Sequence, residues 1–135
     1  MVHDTKIAIV VRSDLPTWQK LNVTAYLASA LAAGPTGVGE PYLDASGGRY
    51  LAMFGQPVLV FAGTVADLDR VRRRCAERDL PVAIFTDELF RTGDDVANRA
   101  AVRAAPSDQL NLAGLATYQR RATVDKVLKG LRLHP

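Results

Sequence analysis

The chain has 135 residues, a formal charge of +3, one cysteine and two histidines. That length suits one domain, which buries roughly two thirds of its unfolded surface and needs neither disulfide nor metal to fold. A lone cysteine excludes an intramolecular disulfide and, with so few histidines, a zinc set; the mild positive charge permits contact with phosphates without requiring it.

"KIAIVVR" (Lys6 to Arg12) is β-branched and continuously apolar, which predicts a strand buried on both faces. Its apolar run, Ile7 to Val11, is too short for a signal or membrane segment and ends at Arg12, so a soluble cytoplasmic protein is expected. A helix follows from about Pro16 to Ala33, with Pro16 or Thr17 suited to the first turn and Gly34-Pro35 to the stop. "GPTGVGEP" is a loop, and "YLDASGGRYLAMF" a hairpin turning at Ser46-Gly47-Gly48. "QPVLVFAG" (Gln56 to Gly63) is a second buried strand. Thr64 caps a second helix, which runs to about Arg78 with Asp67 in its first turns and Leu68, Val71 and Cys75 on one face. "LPVAIFTD" (Leu80 to Asp87) is the third buried strand. A short helix spans Gly93 to Ala105 before Pro106, and the last strand covers Leu110 to Gln119. "ATVDKVLKGLRL" closes with a helix whose Val124, Val127, Leu128 and Leu131 face inward.

Alternation of strands and helices predicts an α/β protein, a single domain built as a three-layer α/β/α sandwich. Helical crossovers make its strands run parallel, so their carboxyl ends share one edge, where ligands of open α/β sheets bind. That edge carries Arg12-Ser13-Asp14, Gly63-Thr64 and Thr86-Asp87-Glu88. Lys20 and Thr24 stack at i and i+4 on the first helix, while Trp18, Leu21, Ala25 and Ala28 occupy a different, apolar face. The helix begins beside the edge, so Lys20 is expected above the end of the third strand in a charge-assisted pair with Asp87. The plainer alternative is a lysine at a helix start facing water. Asp14 and Arg91-Thr92 belong to the same edge loops, whereas Asp94 and Asp95 read as helix caps.

Arg70, Arg72, Arg73, Arg74 and Arg78 form a basic run that is most simply a solvated face. Joined by Arg120, Arg121, Lys126 and Lys129, it could track a phosphate backbone, though no aromatics are interleaved for stacking. Cys75 lies on the apolar side of its helix and reads as packing. His3 and His134 sit near opposite ends of the sequence, which argues against a Ser–His or Cys–His nucleophile pair. The glycines of "GPTGVGEP" follow a helix rather than a strand, and no P-loop lysine is present, so no nucleotide cofactor is indicated.

"KIAIVVRSDL", a helix with an early lysine, "GQPVLVF", "LPVAIFTD" and "VDKVLKGLRL" in that order resemble the archaeal and eukaryotic, second type of peptidyl-tRNA hydrolase. "WQKLNVTAYLAS", "GEPYLDASGGRYLAMFGQPVLVF" and "ANRAAV" resemble its bacterial relatives, the domain of unknown function 2000 family, over nearly the whole chain. The resemblance implies a mixed, mostly parallel four-stranded sheet between helices, often in a homodimer. It also implies metal-free hydrolysis of the ester that joins a peptide to tRNA. Lys20, Asp87 and Thr92 would be the catalytic residues, with Asp14, Thr24 and Arg91 around the ligand. Gln19 stands where the hydrolase has a glycine, and "ELF" lengthens the loop after Asp87. Two rival expectations remain: a non-catalytic domain binding a small anion at the same edge, and a dimeric interaction module using the hairpin from Tyr42 to Phe54.

Overall fold

The computed structural model describes residues 3–34 and 36–135. The fold is mixed α/β, with a five-stranded mixed sheet and four α-helices among these residues. In chain order they are β1 (Thr5–Arg12), α1 (Thr17–Ala33), the hairpin strands β2 (Tyr42–Leu43) and β3 (Arg49–Tyr50), and β4 (Val58–Gly63). Then come α2 (Val65–Glu77), β5 (Ala83–Thr86), α3 (Asp95–Arg103), β6 (Leu112–Arg120), α4 (Arg121–Val127) and β7 (Arg132–Leu133). A 3₁₀ turn, Asp87–Arg91, continues directly from β5. The sheet order is β5-β6-β1-β4-β7, with β2 and β3 paired apart from it.

β1 is central because it is apolar on both faces. Ile7, Ile9 and Val11 join one core with Val23, Leu27 and Leu31 of α1, while Ala8 and Val10 join another with Leu68, Val71 and Cys75 of α2 and Val124 and Val127 of α4. The two-residue strand period sorts these side chains onto opposite sides. Cys75 is fully buried, in keeping with a packing role. The inward stripe of α1 is Val23-Leu27-Leu31, at i, i+4, i+8, whereas Trp18 and Leu21 of the apolar face expected from the sequence remain 61% and 67% exposed. Gly114 of β6 explains the seating. A Cβ there would lie 2.5 Å from Val23 Cγ1 and 2.9 Å from Leu27 Cδ1, so only glycine lets α1 approach this closely.

Thr64 caps α2 as its sequence predicts. Its hydroxyl accepts from Asp67 N (3.1 Å), and Asp67 Oδ2 accepts from Thr64 N (2.9 Å), closing a capping box. Asp94 caps α3 through Ala97 N, at 2.7 Å. Pro35, expected with Gly34 to stop α1, lies outside the described residues.

Three expectations need correction. The sheet has five strands rather than four, it is not mostly parallel because β1–β4 is parallel while β1–β6, β5–β6 and β4–β7 are antiparallel, and the closing helix does not run through Leu133. α4 ends at Val127, and Gly130 takes φ +100°, a left-handed conformation that reverses the chain. Arg132 and Leu133 then pair antiparallel with Ala62 and Phe61 as β7. The apolar residues of "VLKGLRL" that had suggested helical periodicity thus serve two elements, with Leu131 packing at the bend between them.

Candidate functional site

β1 pairs parallel with β4 and antiparallel with β6, which in turn pairs antiparallel with β5. β1, β4 and β5 therefore point the same way, and their carboxyl ends do share one edge. Arg12 is the hub of that edge. Its side chain is 12% exposed, Nε donates to Asp14 Oδ1 at 2.7 Å, and Nη1 reaches Asp87 Oδ1 at 2.9 Å and the Leu112 carbonyl at 3.0 Å. Burial works against the guanidinium charge, but the hydrogen bonds and fields of Asp14 and Asp87 more than offset it, and its pKa is raised. Beside it, Glu88 accepts from Asn111 Nδ2 at 2.6 Å, and this bond holds its carboxyl below the usual range.

The expected Lys20–Asp87 pair is absent: no ion pair joins them within 4 Å, and Asp87 is bound by Arg12 instead. Helical geometry gives the reason. Trp18 and Tyr26 mark the side of α1 facing β5, with ring centroids 5.9 Å from Phe90 and 5.5 Å from Phe85. Lys20 follows Trp18 by two residues, about 200° around the helix, so it projects toward β4 and β7 at the other side of the sheet. There Lys20 Nζ lies 3.2 Å from His134 Nε2.

His134 is placed by the last turn of β7 pairing, its backbone N–H donating to Val60 O at 2.9 Å. Its Nδ1 is 3.0 Å from Pro135 O. The tautomer satisfying both contacts carries its proton on Nδ1 and leaves Nε2 to accept from the Lys20 ammonium, an assignment made from the network. Lys20 and His134 line a cleft of about 290 Å³ with Val11, Thr17, Leu21, Thr24 and Val60. None of these described lining residues is an Asp or Glu. The start of α1 adds to its positive character: Pro16 provides no side-chain cap and no acid occupies the first turn. Thr24, which also lines the cleft, donates to Lys20 O at 2.7 Å, so its hydroxyl proton is spent on the helix.

Thr92 stands elsewhere. Its hydroxyl lies 3.1 Å from Leu89 O and contacts Asn98, inside a separate hollow of about 260 Å³ walled by Tyr26, Phe85 and Leu89. Arg91 is exposed and makes no ion pair within 4 Å among the described residues. The sequence-predicted residues thus divide into three groups: Lys20 with Thr24, Asp14 with Asp87 around Arg12, and Thr92 with Asn98. Sequence reasoning placed Arg12 on this edge without giving it a role in the site, and set His134 aside. Arg12 closes the apolar run of β1, where the fold drives it among strand ends. His134 carried no signal, because only the β7 pairing brings it to Lys20.

The basic run on α2 is largely tied within the fold. Arg70 pairs with Asp67, Arg72 and Arg73 with Asp69, and Arg74 donates to the carbonyls of Val127 and Lys129. Among the described residues no group of three or more His, Cys, Asp or Glu could hold a metal ion, and no helix is long and apolar enough to cross a membrane.

No curated protein matches the chain. A solved structure of a protein of unknown function from Agrobacterium tumefaciens strain C58 is similar, with 40% sequence identity, a TM-score of 0.94, and coverage of 99% of this chain and 100% of that one. The sequence profile described as a protein of unknown function, DUF2000, matches residues 5–135. With that match spanning nearly its whole length, the chain belongs to the DUF2000 family.

Proposed function

We propose that this chain is a small-ligand-binding domain that takes a small anion with an apolar body, such as a short carboxylate, into the cleft at Lys20. The observation that carries the reading is the cleft's composition. A lysine ammonium, held by His134 at 3.2 Å, is set among Val11, Leu21 and Val60, with two threonines and no Asp or Glu among the lining residues. Few polar groups fixed among apolar walls is the usual make-up of a small-molecule site. An anion meeting Lys20 would replace the ammonium's hydrogen bond to a neutral imidazole with one that adds the attraction of opposite charges. The N-terminus of α1, without acid in its first turn, favours the same charge.

The test is calorimetric titration with butyrate, benzoate and inorganic phosphate. Binding by the wild type should be lost in Lys20→Met and kept in Asp87→Asn. Undiminished binding in Lys20→Met would refute the assignment.

A second reading is metal-free ester or amide hydrolysis within a three-layer, peptidyl-tRNA-hydrolase-like fold. One observation favours it: an amine and an imidazole at hydrogen-bonding distance form a donor–acceptor pair able to move a proton. In this reading Lys20 stabilises the oxyanion, and Asp87 and Thr92 must converge on it when substrate binds. Turnover of a peptidyl-tRNA mimic that disappears in both Lys20→Ala and Asp87→Ala would favour hydrolysis over binding.

A further inference from the structure

We propose that the β2–β3 hairpin is a docking surface for a second copy of this chain. The hairpin is built to hold a shape. Tyr42 pairs with Tyr50 and Leu43 with Arg49. At the tip, Asp44 Oδ1 accepts from the backbone of Ser46 (2.9 Å) and Gly48 (2.8 Å), while Oδ2 accepts from the Tyr50 hydroxyl at 2.6 Å. Gly47 takes φ +83°, which the turn requires. Its base is tied by Gly39 N donating to Met53 O at 2.8 Å and by Phe54 packing on the core.

Among the described residues, nothing covers it. Tyr42, Leu43, Tyr50, Leu51 and Met53 are exposed, from 49% for Tyr42 to 89% for Leu51. A two-stranded hairpin with neither face packed is marginal in water, and apolar groups this dense on a surface mark a contact site.

Three features point to a second copy as the occupant. A twofold contact needs one patch that complements itself. This patch carries a hollow of about 730 Å³ lined by Pro41, Arg49, Tyr50, Leu51 and Ala52, with the 68%-exposed Leu43 on the paired strand to fill its mate. It also carries both signs of charge: Glu40 and Arg49 have no ion-pair partner within 4 Å among the described residues, so each could meet the other across a twofold axis. Third, side chains of this size expose on the order of 500–600 Å² in all, so two copies joined here would bury roughly 1,000–1,200 Å² from them alone. That reaches the size of a specific interface before any main chain is counted. The inference is independent of the ligand cleft.

Sedimentation equilibrium on the full chain tests it. The wild type should be dimeric in the micromolar range, and Leu43→Glu/Leu51→Glu should be monomeric with an unchanged circular dichroism melt of its dilute form. Arg49→Glu should weaken the dimer at least tenfold, and adding Glu40→Arg should recover most of the loss. A monomeric wild type at all concentrations would overturn the proposal, as would a dimer indifferent to the Leu43/Leu51 substitutions.

Discussion

Replacing Arg12 with methionine keeps the apolar stem of the side chain and removes its head. Three bonds go with it: those to Asp14 at 2.7 Å, Asp87 at 2.9 Å and the Leu112 carbonyl at 3.0 Å. Asp14 is 69% exposed and Asp87 37%, so solvent takes back most of each ion pair and leaves ~0.5–1 kcal/mol apiece. The bond to Leu112 lies deeper and contributes ~1 kcal/mol. The expected loss is about 2–3 kcal/mol, which at roughly 3–5 °C per kcal/mol for a chain of this length lowers the melting temperature by roughly 6–15 °C. Urea unfolding of the wild type, Arg12→Met, Asp87→Asn and the double variant gives the coupling directly. Arg12 and Asp87 should couple by ~0.5–1 kcal/mol, and a parallel cycle of Lys20→Met with Asp87→Asn should fall within about 0.3 kcal/mol of zero. A larger coupling for Lys20 than for Arg12 would refute the placement of Asp87 and revive the pairing expected from the sequence.

Three further outcomes follow from particular contacts. Gly114→Ala should cost about 1–3 kcal/mol in urea unfolding, since its Cβ would sit 2.5 Å from Val23 Cγ1 against the buried face of α1; a neutral effect would mean that α1 shifts freely. Asp67 is held below the usual carboxylate range, first by the Thr64 backbone N–H and then by the Thr64 side chain and Arg70. A depressed carboxyl stabilises the fold above its unfolded value near pH 4 and loses that contribution as pH falls through its folded value, so the stability gap between wild type and Asp67→Ala should narrow below about pH 4. Cys75 is fully buried and burial raises its thiol pKa, so dithionitrobenzoate should label it only at the rate of unfolding; rapid labelling of folded protein would contradict the packing.

The parts of this fold that were legible in the sequence are those specified by local chemistry. Unbroken apolar runs marked β1, β4 and β5, and Thr64 with Asp67 announced the start of α2 because a capping box is written within four residues. Asp94 was legible for the same reason. The end of the chain was not: "VLKGLRL" satisfies a helical period, and only the left-handed Gly130 and the open side of β4 turn its last residues into a strand. The apolar face of α1 misled in another way. Trp18, Leu21 and Val23 are equally apolar in sequence, and what selects Val23 is the missing Cβ of Gly114 on a strand ninety residues away. The candidate site inherits both gaps. Lys20 was visible as a polar residue early in a helix, but its partner His134 depends on β7, and the Arg12 that holds Asp87 became legible only once β1, β5 and β6 were assembled.

α1 also divides the carboxyl edge of the sheet. Its aromatic side, Trp18 and Tyr26 on Phe90 and Phe85, closes the approach above the 3₁₀ turn that carries Asp87. Its other side opens the Lys20 cleft toward Val60 and His134. For Lys20 to act with Asp87, α1 would have to turn by a large part of a revolution about its axis. Val23 and Leu27 are seated against Gly114, and such a turn would lift them, with Leu31, out of the core that they complete with β1 and β6. Re-exposing three fully buried aliphatic side chains costs about 1.5–3 kcal/mol each. That sum rivals the whole stability of a domain of this size. A single glycine on β6 therefore does more than admit the helix: by seating Val23 and Leu27 it sets Lys20 toward His134 and its cleft rather than toward Asp87.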